Sequence, residues 1–417
     1  MVGAEQFDWR DGMISRIRAR ELRLGVVGLG HVGLPLALLL ADAGYSVIGI
    51  EIDEQKVMAL QSGQISIAGR EEGLSRLLKT GLESGNLEVV SDSAELKSCD
   101  LILVCVATPV DEDGDPDLTH LMNAVRSITE HCKSGALVIV ESTIPPGTCE
   151  RKLKPLLEST GTHTVGTSIF LGYSPERVMP GRLITNQLSL PRVCGADDDS
   201  VQAVMKVFYE ESFGVSVDVT SLTTAELTKV VENTYRNVQI AFANEVALRC
   251  AELGVSFETV QYLVNQVPER QLHRPGPGVG GHCIPKDPFL FMAGSTHESR
   301  VVRAAHASNS AMPIKFCERV DSFFAELDES SRTVCLLGYS YLANSGDTRN
   351  SPSSAILVEL LRRGYTVHVH DPFVTEYSHK LDEKIRGSHL SVILVNHSIY
   401  DGIPDSRALR FADFMGF

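Results

Sequence analysis

Cys283 stands in surroundings that suit covalent chemistry better than packing. Residues 275–288 read Pro-Gly-Pro-Gly-Val-Gly-Gly-His-Cys-Ile-Pro-Lys-Asp-Pro, so the thiol lies in a Gly/Pro-rich loop with His282, Lys286 and Asp287 beside it. A cysteine that only fills space sits in an apolar helix or strand. Here permissive backbone lets a substrate approach the sulfur, and a neighbouring cation favours the thiolate, which is the nucleophile. A metal site asks for more ligands at suitable spacing than one Cys and one His supply, so metal binding is set aside.

A second group of residues suits a dinucleotide. Gly28-Leu29-Gly30-His31-Val32-Gly33 falls between an apolar run of strand length and one of helix length. Glycines there permit a tight turn, close approach of backbone to a pyrophosphate, and close helix–strand packing. The helix N-terminus then offers unpaired N–H groups to the phosphates. Glu51 follows about twenty residues on, where a carboxylate accepts both ribose hydroxyls and repels a 2′-phosphate, which favours NAD over NADP. Asp53 lies on the same face of an alternating strand and is the rival for that role. The alternative, a helix-capping turn followed by a surface acid, leaves the joint spacing unexplained.

These residues need elements to hold them. Leu22–Val27 reads as a strand, Val32–Ala43 as a helix closed by Gly44, and Tyr45–Ile52 as a second strand. Leu101–Val106 and Ala136–Val140 are further strand-length apolar runs. Strand alternating with helix predicts a parallel, doubly wound α/β sheet. From Thr223 to Gly254 the chain runs without Pro or internal Gly, and apolar residues recur at three and four (Leu227, Val230, Val231, Val238, Ala241), which predicts a long connecting or dimer-forming helix. The β-α-β rhythm returns at Val334–Leu337, Ser353–Arg363, Tyr365–His370 and Ser391–Val395. The expected organisation is therefore a short extension over 1–22, helical or frayed, a Rossmann domain over 23–210, a helical middle over 211–315 with the Cys loop, and a second Rossmann-like domain over 316–417.

Composition narrows the function. With 53 acidic against 38 basic residues the formal net charge is -15, which argues against sequence-independent nucleic-acid binding. Nine cysteines without a CxxC pair suit reduced thiols and a cytoplasmic location better than a disulfide framework. The first 22 residues lack an apolar core of the kind a signal peptide has. The longest apolar run, Leu34–Ala41, is too short to span a membrane.

Several further motifs, in order, complete the pattern: Val104-Cys-Val-Ala-Thr-Pro109, Glu141-Ser-Thr-Ile-Pro-Pro-Gly-Thr148, Ser174-Pro-Glu-Arg-Val-Met-Pro-Gly181, Ala225-Glu-Leu-Thr-Lys229 with Asn233, and Gly346-Asp-Thr-Arg-Asn-Ser-Pro352. Together with the Cys283 loop they resemble the UDP-glucose/GDP-mannose dehydrogenase family from about Leu22 to about Tyr400. Separately, Lys229 and Asn233 would pass for a solvated helix face and Glu176-Arg177 for a surface pair; their joint order is what carries the resemblance. It implies two successive oxidations of a nucleotide-sugar C6 alcohol by NAD. Cys283 would form a thiohemiacetal and then a thioester, which water hydrolyses. Lys229 would stabilise oxyanions with Asn233 as a neutral donor, and Asp287, Glu176 and Thr143 would hold or activate the water. The cofactor would rest on Gly28, Leu29, Gly30, His31, Val32, Gly33, Glu51, Lys56, Thr108, Thr143 and Arg349. The sugar nucleotide would meet Arg177, Val178, Lys229, Asn233, Arg236, Arg270, Gly280 and Tyr341, in a homodimer.

Within that resemblance, Pro175–Gly181 and the Gly281-His282-Cys283 sequence rank UDP-N-acetyl-D-mannosamine first as substrate and UDP-N-acetylglucosamine second. Departures are also present. Leu342 stands where the family has a lysine, Arg270 (with Arg274 as alternative) is spaced differently from the family arginine that reaches a neighbouring subunit, and the C-terminal sheet is expected to be one strand short. The first and last of these departures motivate a rival reading as a nucleotide-sugar-binding protein with weakened catalysis. A single-step alcohol or hydroxyacid dehydrogenase would have no use for the Cys283 thioester.

Overall fold

The computed structural model describes residues 2–65, 71–179, 181–327 and 332–417, with side chains from residue 9 onwards. Pro180 of the Glu176 motif lies outside the described residues. Contacts divide the chain into two compact units. The first takes in nearly everything up to Val230 together with Phe289–Gly294, and the second takes in Val231–Pro288 and Ser295–Phe417.

The first unit is built on an eight-stranded sheet. Its strands are β1 (Arg23–Val27), β2 (Ser46–Ile50), β3 (Leu87–Val90), β4 (Leu101–Val104), β5 (Ala136–Val140), β6 (Ile169–Tyr173), β7 (Arg192–Gly195) and β8 (Val217–Thr220). The order is β3-β2-β1-β4-β5-β6-β7-β8. All neighbours run parallel except β6 and β7, which meet antiparallel at Tyr173 and Gly195. Because the chain winds outward to β3 and then returns to β4, a crevice opens at the carboxyl ends of β1 and β4, where Val27 and Val104 are in register. The central strands are buried on both faces, which is why they read as unbroken apolar runs rather than alternating ones.

Of the two expectations for the N-terminal segment, helical or frayed, the helix is the one found. Val2–Ala19 is a helix that packs on the first unit instead of fraying. Trp9 stacks on Phe170 with ring centroids 3.6 Å apart and donates from Nε1 to the Gly135 carbonyl at 2.9 Å. Met13 and Ile17 are buried, and Arg16 grips Asp100 through two hydrogen bonds of 2.8 and 2.7 Å. Helical periodicity in this segment is weak, and its anchors are single long-range contacts that no local pattern displays.

The long helix runs Leu222–Leu253, within a residue of the predicted bounds. It buries Ala225, Val230, Ala241, Ala243, Ala247 and Cys250, and leaves Leu227, Val231, Tyr235 and Phe242 exposed. The second unit carries a parallel sheet of β9 (Thr333–Leu337), β10 (Thr366–His370), β11 (Leu390–Ile393) and β12 (Leu409–Arg410) in the order β10-β9-β11-β12. Helices Arg300–Leu327 and Pro352–Arg362 pack on it through Met312, Phe316, Val320, Phe324, Ile356 and Leu360. The expected bare edge is closed. The two residues of β12 pair with β11, and the last short helix, Phe411–Met415, sets Phe411 and Phe414 within 5.9 and 5.4 Å of the Phe316 ring. No described helix is long and apolar enough to cross a membrane.

Candidate active site

The Gly28–Gly33 turn sits at the crevice between β1 and β4, and its glycines are there for different reasons. Gly28 adopts φ +89°, and a Cβ on it would come within 2.9 Å of the Cys105 carbonyl oxygen. A Cβ on Gly33 would lie 1.9 Å from the Gly28 carbonyl oxygen, since the helix starting at Gly33 packs directly on the turn. Around Gly30 nothing lies within 4 Å of where a Cβ would be. No protein contact requires a glycine there, so the open space fits a ligand backed against the chain.

Glu51 and Asp53, which the sequence left as rivals, are separated. Asp53 caps the helix Glu54–Gln61 by accepting from the backbone N–H groups of Gln55 and Lys56. Glu51 is buried, accepts from the Leu29 N–H at 3.1 Å and pairs with Lys56 Nζ at 2.6 Å. Glu51, Lys56, Gly28 and Gly30 line a cavity of about 410 Å³, within the usual size for a cofactor site. Its far wall is made by His120, Asn123 and Ser127 of the helix Thr119–His131, residues that no motif singled out. Thr108 and Thr143, at the ends of β4 and β5, are joined by a hydrogen bond from the Thr108 hydroxyl to the Thr143 carbonyl at 2.6 Å. A buried acid at the end of β2, a turn open only at Gly30 and a crevice at the switch point fit a dinucleotide.

Lys229 is buried on the long helix and donates from Nζ to the backbone carbonyl of Glu176. One turn earlier Glu226 reaches the loop after β5, accepting from the Cys149 N–H at 2.7 Å and from the Gly147 N–H. Burial pushes the Glu226 carboxyl up from its usual range, with these N–H groups opposing. The helix that carries Lys229 is thereby tied to the loop that carries Thr143.

The Glu176 carboxylate, expected to position or activate the water, is buried against Arg192 and accepts from the Arg177 N–H at 3.0 Å. A carboxylate held by a buried guanidinium is a poor general base, because protonating it breaks the pair. Arg177 itself donates to the Pro191 carbonyl at 2.7 Å, Val178 is half-buried and Met179 is exposed.

In the second unit, Cys283 is not within a loop but is the first residue of the helix Cys283–Met292. Negative charge is favoured at that end, as a thiolate requires. All nine cysteines carry free thiols, and Cys283 alone is exposed. Asp287, one turn on, is fully buried; its Oδ2 accepts from Asn233 Nδ2 at 2.5 Å, while Lys286 Nζ stands 3.6 Å from its Oδ1. Asp287 Oδ1 has no hydrogen-bond partner, which leaves one oxygen able to accept from water.

The glycines before Cys283 are dictated by Tyr341. A Cβ on Gly280 would lie 2.4 Å from the Tyr341 Cβ, and one on Gly281 would lie 2.8 Å from its ring. Gly281 is also laced to the 346–352 loop: its N–H donates to the Arg349 carbonyl at 2.9 Å and its carbonyl accepts from Asn350 Nδ2 at 3.0 Å. Arg349 is fastened to Asp347 of its own loop by Nε at 2.9 Å and Nη2 at 2.5 Å. Burial raises the Tyr341 hydroxyl to about 12, so it stays neutral. Arg236 is exposed and donates to His273 Nδ1 at 2.9 Å, and Arg270, Arg274 and Leu342 are exposed.

The switch-point crevice, the glycine turn and the buried acid define a dinucleotide-binding oxidoreductase unit, and the other unit carries an exposed thiol at a helix N-terminus. Three family models match in succession: the NAD binding domain of the UDP-glucose/GDP-mannose dehydrogenase family over residues 22–213, its central domain over 223–311 and its UDP binding domain over 335–412. The UDP-N-acetyl-D-mannosamine dehydrogenase of Pyrococcus horikoshii is 35% identical over 387 residues, covering 92% of this chain and 91% of that protein. A solved structure of the UDP-D-ManNAc dehydrogenase from the same organism superposes with TM-score 0.87 at 34% identity, covering 93% of this chain and 94% of that one. The UDP-N-acetyl-mannosamine dehydrogenase of Staphylococcus aureus superposes with TM-score 0.83 at 32% identity, covering 92% and 91%. The chain belongs to the UDP-glucose/GDP-mannose dehydrogenase family. It is an NAD-dependent nucleotide-sugar dehydrogenase.

Proposed function

We propose that this enzyme oxidises the C6 hydroxyl of UDP-N-acetyl-D-mannosamine to the carboxylate of UDP-N-acetyl-D-mannosaminuronate, by way of a thioester on Cys283. The observation that carries the chemistry is the exposure of Cys283 alone among nine cysteines, at a helix N-terminus one turn from a buried carboxylate. The sugar is supported by relatives so named that match over nearly the whole chain and by the Glu176-Arg177-Val178-Met179 segment.

The Gly28–Gly33 turn and Glu51 would hold NAD, and two successive NAD molecules would supply the hydride acceptor for the two oxidations. The first removes a hydride from C6 and the proton from its hydroxyl, which passes to water, and leaves a C6 aldehyde. The Cys283 thiolate adds to that carbonyl, and the oxyanion is held by the Lys229 ammonium and the Asn233 amide, one helical turn apart. Loss of hydride from the thiohemiacetal gives the thioester. Water oriented by Asp287 Oδ1 attacks it, Lys229 and Asn233 hold the second oxyanion, and the thiolate leaves. Thr143 helps hold the water, Lys56 stands with Glu51 at the ribose, and Glu176 has an indirect part through its backbone. Arg349 reaches the cofactor; Arg177, Val178, Arg236, Gly280 and Tyr341 hold the sugar nucleotide, with Arg270 serving a neighbouring subunit.

We assign residues 23–210 to the NAD-binding domain, 211–315 to the central domain and 316–417 to the UDP-sugar domain, with 1–22 preceding them. The protein acts in the cytoplasm as a homodimer formed through the long helix. A Cys283→Ser variant tests the covalent step: it should fold, bind NAD and form no uronate. Normal uronate production by that variant would overturn the thioester route.

A further inference from the structure

We propose that Arg192 is a positioning residue for Lys229, acting through Glu176; this rests on the reading of Lys229 as the oxyanion-stabilising cation. Arg192 begins β7 and is buried between two carboxylates. Its Nη2 binds Glu176 Oε1, and its Nη1 lies 3.2 Å from Glu141 Oε2 and 3.4 Å from the Ser174 hydroxyl. Its guanidinium carbon sits 4.4 Å from the centre of the Tyr209 ring and 5.3 Å from that of Phe213, so it cannot shift sideways. The Tyr209 hydroxyl donates to Glu141 Oε1 at 2.5 Å and fixes the far carboxylate.

The consequence falls on the backbone at residue 176. With one carboxylate oxygen on Arg192 and the other accepting from the Arg177 N–H at 3.0 Å, the Glu176 side chain is folded back into the interior. Its peptide carbonyl is thereby fixed towards Lys229, whose Nζ donates to it. A buried ammonium swings on four rotatable bonds unless something at its tip holds it. Here the holding group is a main-chain carbonyl, and what holds the carbonyl is the Arg192–Glu176 pair. Arg192 touches neither substrate nor cofactor in this role, and its effect is expected in kcat.

The test is a double-mutant cycle in kcat between Arg192→Met and Lys229→Met, with NAD affinity measured on every variant. Arg192→Met alone should lower kcat by about 10- to 100-fold, as misplacement of a catalytic group does. NAD affinity should be unchanged, and adding Arg192→Met to Lys229→Met should cost little further. Because the Met variant strands two buried carboxylates, Arg192→Lys is measured beside it. That variant keeps a positive charge in the core but cannot bridge both acids, and should show a smaller loss in kcat. Equal fold-losses in both backgrounds, or full kcat in folded Arg192→Lys and Arg192→Met, would overturn the proposal. A Lys229→Met variant with normal kcat would instead remove the reading of Lys229 on which it rests.

Discussion

Gly28 and Gly33 lack side chains for reasons internal to the protein, one through its positive φ and the other through contact with backbone, whereas Gly30 faces open space. The two kinds of glycine should therefore respond differently to a methyl group. Gly33→Ala must push the helix off the turn and should cost about 1–3 kcal/mol or more of stability. Gly30→Ala should leave thermal stability within about 0.5 kcal/mol of the parent, yet weaken NAD binding by about tenfold or more, equivalent to ~1.4 kcal/mol. Thermal melts with and without NAD check both, and a Gly30→Ala protein that melts early would mean that residue is structural after all. At this scale the sequence was most informative where chemistry is local. The glycine turn, Glu51 and the Cys283 loop each declare themselves within a few residues. The partnership of Glu176 with Arg192, and the burial of Glu226 against Gly147 and Cys149, join residues distant in the chain. No spacing rule exposes such pairs, so the Glu176-Arg177 segment does not disclose that the Glu176 carboxylate is held by Arg192.

Strands β5, β6 and β7 are joined at their ends by one buried charge cluster as well as by their ladder. Burial pushes the Glu141 carboxyl up from 4.5 to about 7; Arg192 opposes the shift and nearby Glu176 adds to it. Between those two values the folded chain holds a proton that the unfolded chain has lost. Stability from this group is therefore full below pH 4.5 and lost as pH rises through about 7. Glu141→Gln, which cannot ionise, should flatten that part of the Tm–pH curve while keeping a polar partner for Arg192. Melting curves across the window check this, and an unchanged slope would show that Glu141 is ionised throughout. Among the elements, the long helix and the central strands were legible because both are defined by what is absent: helix breakers in the one, polar residues in the other. The N-terminal helix was not, because Trp9, Ile17 and Arg16 find their partners at Phe170, in the sheet's packing and at Asp100, and the segment alone shows only weak periodicity.

For the whole molecule, repetition of the β-α-β plan at both ends made two parallel sheets foreseeable. Strands β3, β6, β7, β8 and β12 were not foreseen, because strands of two to five residues are too short to show a period. Leu227, Val231, Tyr235 and Phe242 are exposed on the long helix at spacings of four, four and seven, and that apolar row is the surface for the proposed homodimer. If the proposed dimer forms through this row, replacing Tyr235 and Phe242 together by Glu should give monomers in sedimentation velocity without lowering helix content. A double variant that still sediments as a dimer would place the interface elsewhere.

The most direct measurement of the central claim is the NADH formed per molecule of sugar nucleotide consumed, with UDP-N-acetyl-D-mannosamine, UDP-N-acetylglucosamine and UDP-glucose offered separately. Four-electron oxidation predicts about two NADH per sugar from UDP-N-acetyl-D-mannosamine, and much slower turnover of the other two. About one NADH per sugar, with aldehyde released, would contradict the thioester route, and turnover of another nucleotide sugar in preference would contradict the proposed substrate.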